Sequence, residues 1–369
     1  MTKEVKRIIF VVLFCEFLIC LGMSLIFPVE PFIKNEYHFT AFDMGVMSSL
    51  FAFVQFIASP IVGRISDKVG RKPMLVWGLL IFAIAEFVFA LAQHLWLFDL
   101  SRAVDGLSAA FSGGLILGPG LGGMLAHVNY KFPFWVAGIL GLISTVVAWR
   151  FLPHDEDELF KSETKNPENE LLTGGWSQLK QIMTPILITL FGMIFVASFG
   201  LAGFESIYSL YVNEVHNFDL NAIALVLTLN GIISLILQVF FFDRLVRWLG
   251  EVRLMRYSFF LSLVGTIMVI YDHNHWHIII ATLFVFEAFD LLRPTITTLL
   301  TKMSKTNQGL LNGVNMSLTS VGNIIGPLIS GYLLDVNYQY PYWFVSIFLI
   351  ISWVITLILG RERKAAAND

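Results

Sequence analysis

Charge is what this sequence has least of. Of its 369 residues, 14% are charged and 56% are apolar, and the mean hydropathy is +0.74. A soluble domain carries about a quarter charged residues and has no interior for so much apolar side chain. A globule surrounded by water is therefore excluded, and the bilayer is the solvent that this composition calls for. Cysteine is nearly absent. Cys15 and Cys20 lie five apart in one apolar run, on different faces of a helix, which leaves no disulfide framework and reads as two reduced core thiols.

Other absences narrow the function. No Gly-Lys dipeptide occurs, so there is no Walker A loop and no ATP-driven pump built from this chain alone. There is no H-E-x-x-H and no C-x-x-C, and the residues present suggest no enzyme. No basic patch points to nucleic acid. The histidines cluster outside the apolar runs; His273, His275 and His277 alternate in DHNHWH, which reads as an external loop and not as a metal site. The net charge of −3 says less than how the charges are distributed.

What is present is a series of long apolar runs, near 8–33, 42–65, 73–93, 132–152, 182–209, 221–243, 254–271, 276–301, 310–334 and 341–360. Each is long enough for a membrane helix, so the fold class is an all-α membrane protein. The first run follows MTKEVKR, is longer than a signal-peptide core and lacks a small-residue cleavage site, so it reads as a retained helix. The one long polar segment, 153–181, carries seven acidic residues and three lysines and reads as a cytoplasmic linker. It separates an N-terminal transmembrane bundle, 1–152, from a C-terminal one, 182–369. Basic clusters at the N-terminus and in 66–72, 243–256, 302–305 and 361–364 place those segments and both termini in the cytoplasm.

The two bundles repeat each other. HVNYKFPFW at 127–135 and DVNYQYPYW at 335–343 stand 208 positions apart, as do Gly118-Pro119 and Gly326-Pro327. Earlier in the chain the offset is 180: Gly70 answers Gly250, and Trp96 answers Trp276. Two halves of similar helices in the same order are a common plan for secondary transporters. The change of offset makes the first half about 28 residues shorter, with the seam at Phe111-Ser112. Span counting puts residues 94 and 130 on the same outer face. The stretch between them is too short for two full helices and a turn, so either it forms a truncated re-entrant hairpin or, as expected here, a cytoplasmic hairpin tip is absent.

Several motifs resemble those of a known family. GRISDKVGRKPML (63–75) resembles the loop between the second and third helices of the major facilitator superfamily. LSRAVDG (100–106) resembles its fourth-helix motif, and GGLILGPGLGG (113–123) its antiporter motif in the fifth helix. LGMSLIFPVEP (21–31) is similar to the first-helix motif of the twelve-helix drug exporters, with Glu30 where an apolar residue is usual. GFESIYSLY (203–211), FVFEAFDLLRP (284–294) and SVGNIIGPLISGYLLD (320–335) resemble bacterial quinolone and multidrug efflux pumps of the NorA type. The resemblance implies two pseudo-symmetric helix bundles on a twelve-helix pattern, here with the helix 4–5 region shortened.

Charges inside apolar helices are costly and mark function by default. Glu205 follows the run FGMIFVASFGLAGF, and Glu287, Asp290 and Arg293 share one stripe of a later helix. The resemblance assigns proton coupling to Glu205 and Asp290, with Arg293 as the partner of Asp290. It makes Arg102 a coupling arginine, flanked by Asp99 and Asp105, either of which could pair with it. It makes Gly63, Asp67, Gly70 and Arg71 a gating loop. Gly114, Gly118, Pro119, Gly122 and Gly123 permit close helix approach, matched by Gly326, Pro327 and Gly331. Glu16 and Glu86 read as contacts between helices. Aromatic rings near the carboxylates suit a pocket for planar cations through cation–π contacts, with Phe14, Phe17, Phe51, Gln55, Phe199, Phe204, Phe286, Glu287 and Phe289 as its candidates.

The expected activity is proton-coupled antiport of amphipathic or cationic drug-like compounds by alternating access. It would run on the proton gradient with no cofactor, in a monomer of the bacterial cell membrane. A metabolite or sugar exporter on the same scaffold is one alternative, and a non-transporting protein disabled by the internal gap is another.

Overall fold

A computed structural model describes residues 27–112, 131–152, 184–303 and 308–365. Thr40 and Asp43 show how its helices begin. The Thr40 hydroxyl accepts from the Asp43 amide at 3.1 Å, and the Asp43 carboxylate accepts from the Thr40 amide at 2.8 Å. This reciprocal cap satisfies two of the amides that a helix start leaves open.

Helix α1 (Glu30–Tyr37) is short and stands apart from any longer run, because the chain turns at 27–29 just ahead of it. The expected first span, 8–33, therefore does not continue through residue 33 as one helix; its part before residue 27 lies outside the described residues. Then come α2 (Ala41–Val69), α3 (Arg71–Leu91), α4 (Leu95–Ser112) and α5 (Phe132–Phe151). After the linker follow α6 (Pro185–His216) and α7 (Leu220–Ile236). A wider π turn (Leu237–Phe241) joins α7 to α8 (Phe242–Leu249). The chain closes with α9 (Glu251–Tyr271), α10 (His275–Met303), α11 (Gln308–Val336) and α12 (Tyr340–Ala365). Among the described residues, eight helical stretches are long and apolar enough to cross a membrane. Helix α10 is as long as any but one, and carries Glu287, Asp290 and Arg293 along it.

The repeat is visible in these boundaries. Helices α3 and α9 start at 71 and 251 and end at 91 and 271; α4 and α10 start at 95 and 275. All three pairs keep the offset of 180. Helices α5 and α12 start at 132 and 340, the offset of 208. Each half breaks its chain at one glycine with positive φ, Gly70 (96°) and Gly250 (73°), whose amides close the preceding helix onto Ser66 and Val246. With ψ of 160° and 157°, both glycines occupy a region that side chains exclude.

The described chain divides into two compact units, 1–164 with 209–231, and 165–208 with 232–369. In the first, α2 and α4 touch backbone to backbone: a Cβ on Gly106 would lie 2.2 Å from the carbonyl oxygen of Phe51. Helix α3 packs along α4 and α5, with Leu79, Phe82, Ala137 and Ala148 as its core. In the second, α9 lies along α10 and α12. Gly203 and Gly326 bring α6 against α11, which confirms one of the small-residue contacts expected around Pro327.

Candidate functional site

In the first unit the buried charges form one cluster. Arg102 of α4 reaches Glu86 of α3 at 3.0 Å and Asp105, one turn along, at 3.1 Å. All three side chains are at most 7% exposed. Phe89 adds its ring face 4.8 Å from the guanidinium carbon. Ser101 of the same turn donates to the Ala85 carbonyl at 2.8 Å and pins α4 to α3. Of the two flanking aspartates, Asp105 takes the arginine; Asp99 is partly exposed, and one of its oxygens has no hydrogen-bond partner. The reason is helical direction: Ser101 and Asp105, one turn apart, lie on the side of α4 that faces α3, the helix that carries Glu86.

In the second unit the charges are arranged differently. Asp290 of α10 accepts from the Ser234 hydroxyl of α7 at 2.6 Å, and Gln238 donates to that hydroxyl at 2.9 Å. Glu205 of α6 and Arg293 both act electrostatically on this carboxylate and on each other. Among the described residues, Arg293 and Asp290 form no ion pair within 4.0 Å. The direct partner of Asp290 is a serine, not the arginine three residues on. Ser234 and Gln238 were not singled out in the sequence, although two polar residues spaced i, i+4 within an apolar run were a readable signal.

Glu287 lies on another side of α10. It is 7% exposed, and neither carboxylate oxygen has a hydrogen-bond partner. It lines a groove of about 440 Å³ together with Ile233 and Leu237 near the π turn, Leu254 and Leu261 of α9, and Phe284 of α10.

The aromatic pocket candidates that are described sit in packed clusters. Phe204, Phe286 and Phe289 are fully buried and pack on one another and on Tyr208 and Tyr342, with ring centroids 5.2–6.5 Å apart. Phe199 packs on Phe195, Phe344 and Phe348. None of these four lines the groove that holds Glu287. Phe51 and Gln55 sit on α2, where Phe51 supports the contact with Gly106 and Gln55 offers its carbonyl to Ser59. Phe14, Phe17, Glu16 and all of Gly114, Gly118, Pro119, Gly122 and Gly123 fall outside the described residues, as does the linker 153–181.

The expected gating loop is barely a loop. Gly63 and Asp67 belong to α2, Arg71 opens α3, and Gly70 alone intervenes. Asp67 thus occupies the last turn of α2, four residues before α3 begins at Arg71. On the opposite end of the unit, Lys34 of α1 pairs with Glu214 of α6, a position 180 residues on. At the turn between α9 and α10, Asp272 accepts from the Asn274 amide and bonds His277, which holds its carboxyl below the usual range.

A repeated, all-helical membrane bundle with charges buried in its spans defines a secondary-transporter class. The model of the Major Facilitator Superfamily matches residues 12–112, 99–271 and 190–369, and the chain belongs to that superfamily. It is 36% identical to multidrug resistance protein 1 of Bacillus subtilis (strain 168), over 96% of this chain and 97% of that protein. It is 33% identical to the quinolone resistance protein NorA of Staphylococcus aureus (strain COL), over 98% of both chains. The nucleoside transporter NupG has the same fold, with a TM-score of 0.77 at 13% identity over 95% of this chain and 99% of that one. So does a bacterial homolog of the human lysosomal transporter Spinster, with a TM-score of 0.75 at 14% identity over 98% of both.

The same comparisons bear on the seam. The alignment with the Bacillus protein runs 384 positions against 96% of a 369-residue chain, so about 30 of its positions have no residue here. The first family match ends at residue 112, and the second, 99–271, runs across it.

Proposed function

We propose that this chain is a proton-coupled antiporter that exports amphipathic and cationic compounds by alternating access, with both termini in the cytoplasm of a bacterium. One observation carries the reading. Glu205 lies in α6, an apolar helix long enough to span a membrane, and Glu287 and Asp290 lie in α10 of the same unit; among the described residues none of the three is closed by an ion pair. A buried carboxylate with no direct ion pair is open to neutralisation by a proton or by a cationic ligand, and the one cation acting on Glu205 and Asp290, Arg293, is shared between them. That alternative is the exchange an antiporter performs. The relatives named for multidrug and quinolone resistance support export, and drug-like compounds, as the direction and class.

Ethidium efflux from energised cells tests this at a verified membrane level of the protein. Efflux is expected to stop with a protonophore, and to stop in Glu205→Gln and Asp290→Asn. Efflux indifferent to the protonophore, or unchanged in both variants, would sink the proposal.

A further inference from the structure

We propose that the groove between α7, α9 and α10, together with Arg244 and Arg253 at its end, is a binding site for an anionic phospholipid. One acyl chain lies in the groove, and the phosphodiester rests on the two guanidinium groups. Two independent features lead there. The first is the groove, about 440 Å³ and walled almost wholly by aliphatic and aromatic side chains. Helices α7 and α9 belong to stretches long and apolar enough to cross a membrane. Tyr257, Ile280 and Phe284 on the rim are each at least half exposed, so the groove opens on hydrocarbon. Both oxygens of Glu287 are covered, so that residue offers the groove its methylene stem and not its charge.

The second feature is the charge at one end of that groove. Arg253 stands one and two turns before Tyr257 and Leu261 on α9, so it continues the stripe that walls the groove toward the start of the helix. Arg244 precedes Leu245, the residue of α8 in the wall, and stands one turn from Trp248. Both arginines are exposed, and among the described residues neither has an ion pair within 4.0 Å. Arg244 lies over the ring of Phe241 at 6.0 Å. Residues 243–256 hold four arginines against two acids, and one of those acids, Glu251, is taken by Lys302. The field at this end is positive. A guanidinium fork matches two oxygens of a phosphodiester, and a bilayer supplies that group already joined to an acyl chain. From Arg253 to Leu261 the helix rises about 12 Å, so the upper part of one chain follows the wall while the phosphate stays at its end. Trp248, 80% exposed, is the amphipathic ring that sits at headgroup level. The π turn beginning at Leu237 belongs to the wall, and such turns recur at functional positions. A zwitterionic head would bring an ammonium group into the same positive field, so a head of net negative charge is selected. This assignment needs the membrane setting but not the export reading.

The test is native mass spectrometry of the full chain in detergent, titrated with dioleoylphosphatidylglycerol and with dioleoylphosphatidylcholine, which carries the same chains. The native chain is expected to bind phosphatidylglycerol about tenfold more tightly than phosphatidylcholine. In the double variant Arg244→Gln with Arg253→Gln that preference should vanish, leaving both lipids at the weaker affinity. Leu261→Trp, which fills the groove from an exposed edge, should weaken both lipids. Arg150→Gln, which removes an exposed arginine from the last turn of α5, should change neither. Glycerol phosphate in equal amount should not displace the lipid, since it has no chain for the groove. Equal binding of the two lipids to the native chain would make the groove a general contact with the bilayer and overturn the site. So would a preference that survives the double variant, a preference lost equally in Arg150→Gln, unchanged binding in Leu261→Trp, or displacement by glycerol phosphate. If Leu261→Trp fails to fold, the double variant, whose changes lie on exposed side chains, decides.

Discussion

Arg102 can be replaced only at a cost that its neighbours determine. Among the described residues it is the one cation paired with Glu86 and Asp105, and both carboxylates are at most 1% exposed. Removing one partner of a buried ion network leaves uncompensated charge, which costs about 3–5 kcal/mol. Arg102→Ala is therefore expected to destabilise the protein by about that much, read as a lower unfolding temperature in detergent. Glu86→Gln should cost clearly less, since it keeps the shape and leaves the Arg102–Asp105 pair in place. Equal losses in the two variants would mean that packing around Phe89, and not charge, sets the stability of this site. The sequence pointed to Arg102 but left its partner open between Asp99 and Asp105. Both lie three residues from it, and on an isolated helix the acid on the N-terminal side, Asp99, holds a slight edge. Only the position of α3, with Glu86 on it, accounts for the choice of Asp105.

At the scale of helices, two glycines separate two kinds of constraint. At Gly106 the problem is space, because a Cβ would meet the Phe51 backbone at 2.2 Å. At Gly250 nothing lies within 4 Å of an added Cβ, and the problem is φ. Gly106→Ala should force α2 and α4 apart and cost about 1–3 kcal/mol, as overpacking does. Gly250→Ala should cost about 1–3 kcal/mol through backbone strain alone. Gly250→Asn should be no better than alanine, since the ψ of 157° lies outside the left-handed region that asparagine tolerates. Unfolding temperatures of the three variants check this, and a clear rescue by asparagine would refute it. The helices themselves were largely readable, because hydrophobic length and a twice-repeated order fix them; α3 and α9 fall within three residues of their expected starts. Which way a helix faces was not. Phe286, Glu287 and Phe289 are near neighbours in sequence, yet the rings close a core with Tyr208 and Tyr342 while the acid lines the groove. Helical periodicity sorts residues into faces but does not say which face meets which neighbour.

For the whole molecule, the decisive feature is the length available at the seam. Helix α4 has 18 residues, so it rises about 27 Å from Leu95 to Ser112, close to the thickness of a bilayer core. Lys131 donates to the carbonyl of Ala92, which holds the start of α5 beside the start of α4. The chain must therefore leave that side, cross, and return to it. Residues 113–130 are all that connects the far end of α4 to Lys131, and a second crossing of about 20 residues would use the whole segment with nothing left for a turn. The relatives carry about 30 more positions in their alignments, and the offset between the halves asks for about 28. Inserting a hairpin of about 28 residues after Ser112 is accordingly expected to raise both the unfolding temperature and the protonophore-sensitive efflux above those of the native chain. A hairpin of the same length placed in the polar linker 153–181 should raise neither, since no crossing depends on that segment. If the insertion at Ser112 lowers both readings, the short connection is itself part of the working protein, and the second half, which keeps its full length, is no guide to the first at this point.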